Sequence, residues 1–210
     1  MFALVEDGSI TKMLSGNQGI TIGNNQYPKA IFTLWTKSER EAIGIYEVEM
    51  DNSKRKDEQW YVNTNITYSF GSGKVTGSYN DAAAKAHADT LWTNQDKTDG
   101  KIPTGKDVGD VAVEGLKTKL IKDVKKEANR LLTETDWYVT RKSEKSTAIP
   151  SNITTWRNGI RSKQAAMETS ITNASDTPAL ETLYTYVNTA DEGDPVVMER
   201  PLGEFPELGS

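Results

Sequence analysis

Side chains able to do chemistry are few in this chain and lie far apart. His87 is the single histidine and there is no cysteine. Thiol nucleophiles, disulfides and the usual His/Cys metal sets are therefore excluded, and a reducing compartment is expected. His87 stands in Ala84-Lys85-Ala86-His87-Ala88-Asp89, which reads as the surface of a short helix. Carboxylates recur at close spacing as Asp96/Asp99 and Asp191/Asp194. Polar loops surround both pairs, with no apolar setting to displace their pKa values. Asp107 and Asp110 precede an apolar stripe of helical period and read as its caps. Lys122, Lys125 and Lys126 alternate with Asp123 and Glu127, the pattern of a solvated helix face rather than of a nucleic-acid surface. No Gly-rich phosphate loop, nucleophile elbow or zinc spacing occurs. The sequence predicts a protein that is not an enzyme, holds no cofactor or metal and does not bind nucleic acid.

The more informative residues bracket one loop. A helical run reaches Leu131-Leu132 and gives way to Asp136-Trp137. A polar stretch follows as far as Pro150, and a new helix opens on Trp156-Arg157-Asn158-Gly159-Ile160-Arg161. Asp136 is placed to cap a turn or to pair with Arg157 or Arg161. Trp137 and Trp156 are both large enough to bury against the two helices. Pro150 cannot continue a helix and Ser151/Asn152 are good cap residues, so the second helix is expected near Ile153.

The elements that position these residues follow from periodicity. Residues 1–80 read as a β-rich domain. Phe2–Val5 and Ser9–Leu14 flank Asp7-Gly8, a strong hairpin signal. Asn24-Asn25 marks a second turn, and Gly71-Ser72-Gly73 a third between Gln59–Phe70 and Lys74–Tyr79. Ile31–Trp35 is apolar enough to be buried, and Ser38–Ile43 reads as one or two helical turns. Residues 81–106 read as a short helix to Leu91 followed by a linker. Residues 107–187 form a helical module: a long amphipathic helix from Asp107 to Leu132, a second carrying Ile153, Trp156, Ile160, Met167 and Ile171, and a third over 178–187. The fold class is α+β, an antiparallel β-rich domain followed by a helical hairpin or three-helix module and an extended acidic tail.

Residues 188–210 form that tail. Prolines 195, 201 and 206 argue against regular structure. Six acids against one base, Arg200, lie in the last twenty residues, and this excess equals the whole formal charge of −5. Val196, Val197, Met198, Leu202, Phe205 and Leu208 are apolar anchors that a purely solvated tail seldom keeps. The tail is expected to lie along a surface, its own or a partner's. The hydrophobic share of 36% implies a modest core. No apolar run approaches the length of about 18 residues that spans a membrane, and the opening residues lack the features of a signal peptide.

The stretch Leu131-Leu132…Asp136-Trp137…Pro150…Trp156-Arg157-x-x-Ile160-Arg161 resembles the C-terminal helical module of phage tail assembly chaperone-like proteins. In that family the second helix usually opens on Tyr-Arg-x-x-Leu-Arg. Here Trp156 and Ile160 replace the tyrosine and leucine, Arg157 and Arg161 match, and the preceding loop carries an inserted Lys/Ser/Glu stretch. The opening Phe2–Gly8, with Leu34-Trp35, Glu39-Arg40 and Gly44-Ile45-Tyr46, looks like tail proteins of marine phages. The resemblance implies a tail-associated structural protein, an adaptor or a fibre or baseplate attachment subunit. Its alternative is a non-virion chaperone of tail or tail-fibre assembly. The implied partners are other tail proteins and further copies of the chain, with no nucleic acid or membrane. The implied location is the virion tail, or the host cytoplasm during assembly. The interaction residues expected on these grounds are Asp136, Trp137, Trp156, Arg157 and Arg161 in the module, and Val196, Met198, Leu202 and Phe205 in the tail.

Overall fold

A computed structural model describes residues 1–209. The architecture is α+β, and the chain divides into two compact units, the first covering Met1–Ala83 and the second beginning at Ala84.

In the first unit β1 (Phe2–Glu6) and β2 (Ser9–Leu14) form the expected hairpin. Asp7 and Gly8 both take positive φ, at 50° and 75°, the geometry of a turn whose twist matches its strands. A small hairpin of β3 (Ile20–Ile22) and β4 (Asn25–Tyr27) follows, then helices α1 (Ile31–Leu34) and α2 (Lys37–Glu41). A reciprocal Thr36/Glu39 capping box starts α2. The remaining strands are β5 (Ile45–Asp51), β6 (Tyr61–Val62), β7 (Ile66–Gly71) and β8 (Lys74–Tyr79).

Five strands join in the order β2-β1-β5-β8-β7. All their pairings are antiparallel except β5 with β8, which run parallel with Val48 beside Val75. The weak alternation of β1 has a cause in this topology. Leu4 packs with Leu14, Ile31, Phe32 and Ile45 on one face, and Ala3 and Val5 pack with Val75 on the other. A central strand covered on both faces is apolar throughout.

The second unit opens with β9 (Ala83–Ala84, at the boundary), β10 (Thr90–Leu91), α3 (Asn94–Thr98) and β11 (Val111–Val113). Four helices follow, α4 (Leu116–Thr133), α5 (Asp136–Lys145), α6 (Ser151–Asn173) and α7 (Thr177–Tyr184), and then the short strands β12 (Val187–Asn188) and β13 (Met198–Glu199). Three sequence expectations are corrected here. Residues 81–91 are not a helix, although five alanines favour one. The carbonyls of Ala86 and His87 accept from the N–H groups of Leu116 and Lys117, so this extended segment satisfies the orphan donors at the start of α4. Tertiary hydrogen bonding overrides helix propensity at that point.

The long helix begins at Leu116 rather than Asp107. Asp107 and Asp110 close a turn on each other instead of capping it. The cap comes from Asp89, whose carboxylate accepts from Gly115 N at 2.7 Å and Thr118 Oγ1 at 2.8 Å. Those bonds, led by the backbone one, hold its carboxyl below the ordinary aspartate value. In the third correction, the polar stretch after Trp137 is helical as far as Lys145 and ends at Ser146 in the left-handed region.

Helices α4 and α6 pack antiparallel. Lys117 Nζ donates to Thr172 O at 2.8 Å, Lys125 pairs with Glu168 at 3.2 Å, and Arg157 reaches Leu132 O at 2.8 Å. Leu116, Leu120, Val124 and Ala128 are buried on α4, and Ile153, Trp156, Ile160, Met167 and Ile171 on α6.

Gly115 marks the tightest approach. A Cβ there would stand 2.3 Å from the carbonyl carbon and oxygen of Ala88. Gly115→Ala is therefore expected to destabilise the protein by about 1–3 kcal/mol, in line with the poor fit of alanine at a helix N-cap. Urea denaturation measures this, and a stabilised variant would contradict the crossing of residues 87–88 over the α4 start.

Candidate functional site

The residues singled out around the 137–156 connection converge on one side chain. Arg157 is buried at 7% exposure. Its Nη1 donates to Leu132 O at 2.8 Å and to Thr135 Oγ1 at 2.7 Å, and its Nη2 donates to Asp136 Oδ1 at 2.8 Å. Leu132 O belongs to the last turn of α4, where carbonyls lack intrahelical partners. Asp136 is the first residue of α5. One guanidinium from α6 therefore caps the end of α4 and anchors the start of α5. Its planar fork suits divergent acceptors, and its positive charge suits the carbonyl end of a helix. Thr135, 3% exposed, completes the seat by donating to Leu132 O at 3.2 Å.

The other module residues separate. Trp156 is buried with Ala128 and Ile160, against Leu131, Leu132 and Phe205. Trp137 is not buried as expected but 52% exposed. Arg157 occupies the inner seat, and the helical phase of α5 turns Trp137 outward. There it stacks on Tyr138 with ring centroids 3.8 Å apart, and the Arg141 guanidinium lies 4.8 Å from its ring. Arg141 Nε is buried and has no hydrogen-bond partner among the described residues. Arg161 stays exposed and donates to Arg157 O at 3.4 Å. One turn further along the antiparallel α6, it lies back along the body of α4 and forms no ion pair with Asp136 among the described residues.

The tail is also corrected. It is not one extended arm. Strands β12 and β13 pair antiparallel, and Asn188 Oδ1 accepts from Val197 N at 3.0 Å. Val196 and Met198 remain exposed on this hairpin, at 69% and 52%. The chain then crosses the helices as a strap. Leu202 is 4% exposed and its N–H donates to Leu183 O. Phe205 joins the Trp156 cluster, and Trp156 Nε1 donates to Pro206 O at 2.8 Å. Arg200 holds the strap from one side, paired with Glu204 at 2.7 Å and set 5.4 Å from the rings of Tyr184 and Tyr186. Burial pushes the Tyr184 hydroxyl up to about 12.

Strap and helices enclose an open cavity of about 620 Å³. Its walls include Val124, Leu131, Trp156, Leu202 and Phe205, and carboxylates of both α4 and the strap lie along it. The sequence did not mark Thr135, Pro206 or Arg200 as parts of this arrangement. Each acts through position rather than through a pattern of residue types. Among the described residues no cluster of His, Asp or Glu could hold a metal ion, and no helix is long and apolar enough to cross a membrane. No protein-family model, curated protein or solved structure matches this chain.

Replacing Arg157 by Met should cost about 2–3 kcal/mol, since charge-assisted bonds to buried acceptors are lost. Replacing its half-exposed partner Asp136 by Ala should cost about 0–1 kcal/mol. Chemical denaturation of both variants decides between them. Equal losses would mean that the arginine is an ordinary surface ion-pair partner.

Proposed function

We propose that this protein is a structural component of a bacteriophage tail, an adaptor or a fibre or baseplate attachment subunit acting through protein–protein contacts. The observation that carries this reading is the convergence of Leu132, Asp136, Trp156, Arg157 and Ile160 on one interhelical clamp. These residues are most of those on which the resemblance to phage tail assembly chaperone-like proteins rests, and their spacing serves one packing unit.

With the motif turned inward, what faces outward is contact surface. Trp137 and Val139 are exposed on α5, and Val196, Val197 and Met198 on the β12–β13 hairpin. Exposed apolar groups in such patches suit packing against neighbouring subunits. Other tail proteins and further copies of this chain are the partners this reading requires, and the tail of the virion is its location.

A second reading is a chaperone of tail or tail-fibre assembly, present in the host cytoplasm only while the particle is built. The cavity beneath the strap favours it, because an apolar floor edged with carboxylates could hold a segment of a client protein.

Mass spectrometry of purified virions from the phage that encodes the chain separates the two. The structural reading predicts a stoichiometric amount in intact, washed particles. Presence in infected-cell lysate and absence from particles would contradict it in favour of the chaperone.

A further inference from the structure

Two surfaces of the second unit complement each other in chemistry. The first is the cavity between α4, α6 and the strap. Its floor is apolar, formed by Val124, Leu131, Trp156, Leu202 and Phe205. Its lining also carries Asp123, Glu127, Glu134, Glu204 and Glu207, with Arg200 as the one base. Arg130, beside the cavity, pairs with Glu127 and Glu134 at 2.8 and 3.1 Å. Even with both arginines counted, acids prevail by three charges. An opening of this size, apolar below and acidic above, fits a segment that presents an aromatic or aliphatic side chain followed by basic ones.

The second surface is such a segment. Helix α5 exposes Trp137 and Val139. One turn further on it carries Arg141, Lys142 and Lys145 against a single acid, Glu144, since Asp136 is engaged by Arg157. Arg141 is flanked by the Trp137 and Tyr138 rings, and its Nε, shielded from water, has no acceptor among the described residues. Trp, Tyr and Arg together are the residues that most often dominate protein interfaces. A buried guanidinium N–H without an acceptor is costly to leave unpaired.

We infer that the cavity of one copy receives the Trp137–Lys145 helix of a second copy. Glu134 of the cavity lies three positions before Trp137, so the two surfaces adjoin on each molecule. Two copies related by a two-fold axis then dock reciprocally, each giving a helix and accepting one. Trp137 enters over the apolar floor, and the carboxylates of the rim meet Arg141 and Lys145, which share its face of the helix one and two turns on. This inference rests on the contact surfaces themselves and holds for a tail subunit or a chaperone alike.

The test is sedimentation of the full-length protein from micromolar to sub-millimolar concentration, at low and high salt. A dimer that weakens as salt rises is expected. The double variant Trp137→Ala/Arg141→Glu should raise the dimer dissociation constant at least about tenfold, as should Glu134→Lys/Glu207→Lys. Both pairs lie on exposed or half-exposed positions, and unchanged far-UV circular dichroism melts check that each variant is folded. Mixing the two variants is the decisive arm. One keeps an intact cavity and the other an intact helix, so the mixture should form a heterodimer where each alone is monomeric. A strictly monomeric parent protein overturns the inference and leaves the cavity to a basic segment of another protein. A dimer insensitive to both variants overturns it as well, and places the interface elsewhere.

Discussion

The helical unit depends on one guanidinium. Helix α4 stops at Thr133 with a right-handed residue at its end, not with the left-handed glycine that commonly returns the last carbonyls to the backbone. The carbonyl of Leu132 accepts from the Thr135 N–H and hydroxyl just past the helix, and the carbonyl end of α4 still favours a positively charged donor. Arg157 supplies it, and in doing so fixes the level at which α6 crosses α4. That level sets Trp156 and Ile160 against Ala128. The strap can dock only because Trp156 is held there, with its Nε1–H turned toward Pro206 O. Helix α5 takes its origin from the same side chain, through Asp136. The charge of the buried Arg157 is distributed over three acceptors, which is the situation in which arginine outperforms lysine.

The acidic C-terminal stretch has two mechanical roles that its composition does not separate. Asp191, Glu192 and Asp194 lie at the solvated end of the β12–β13 hairpin. Glu204 works inside the strap, paired with Arg200 and accepting from the Tyr186 hydroxyl. That last bond raises the Tyr186 pKa. Leu202 and Phe205 contribute burial that the helices alone would lack. A chain with a modest apolar share gains core by folding its own end back over the helix pair.

Local signals were legible where one short stretch decides the structure. Asp7-Gly8 and Gly71-Ser72-Gly73 specified their hairpins, since positive φ at the turn is a property of the turn residues themselves. The apolar spacing of α6 gave its buried face, and Asp136 with Arg157 gave the clamp across the connection. Long-range partners were not legible. The segment 81–91 looked helical because its role, capping α4 from about thirty residues away, leaves no periodic trace. Trp137 looked like core because its size favours burial, but helical phase turns it to solvent. The parallel β5–β8 pair and the strap bond to Trp156 join residues too distant in sequence for any turn or spacing to announce. The proposed function rests on the resemblance, and the residues that carry that resemblance pack inward.

Native-state hydrogen exchange on the Arg157→Gln variant tests the central role of the guanidinium most directly. The account predicts that amides of α5 and the Leu202 amide of the strap exchange at least about tenfold faster, the charge-assisted bonds being worth about 1.5–3 kcal/mol each. Amides in the middle of α4 should keep their protection. Unchanged protection in α5 and at Leu202 would contradict the claim that Arg157 holds these elements together.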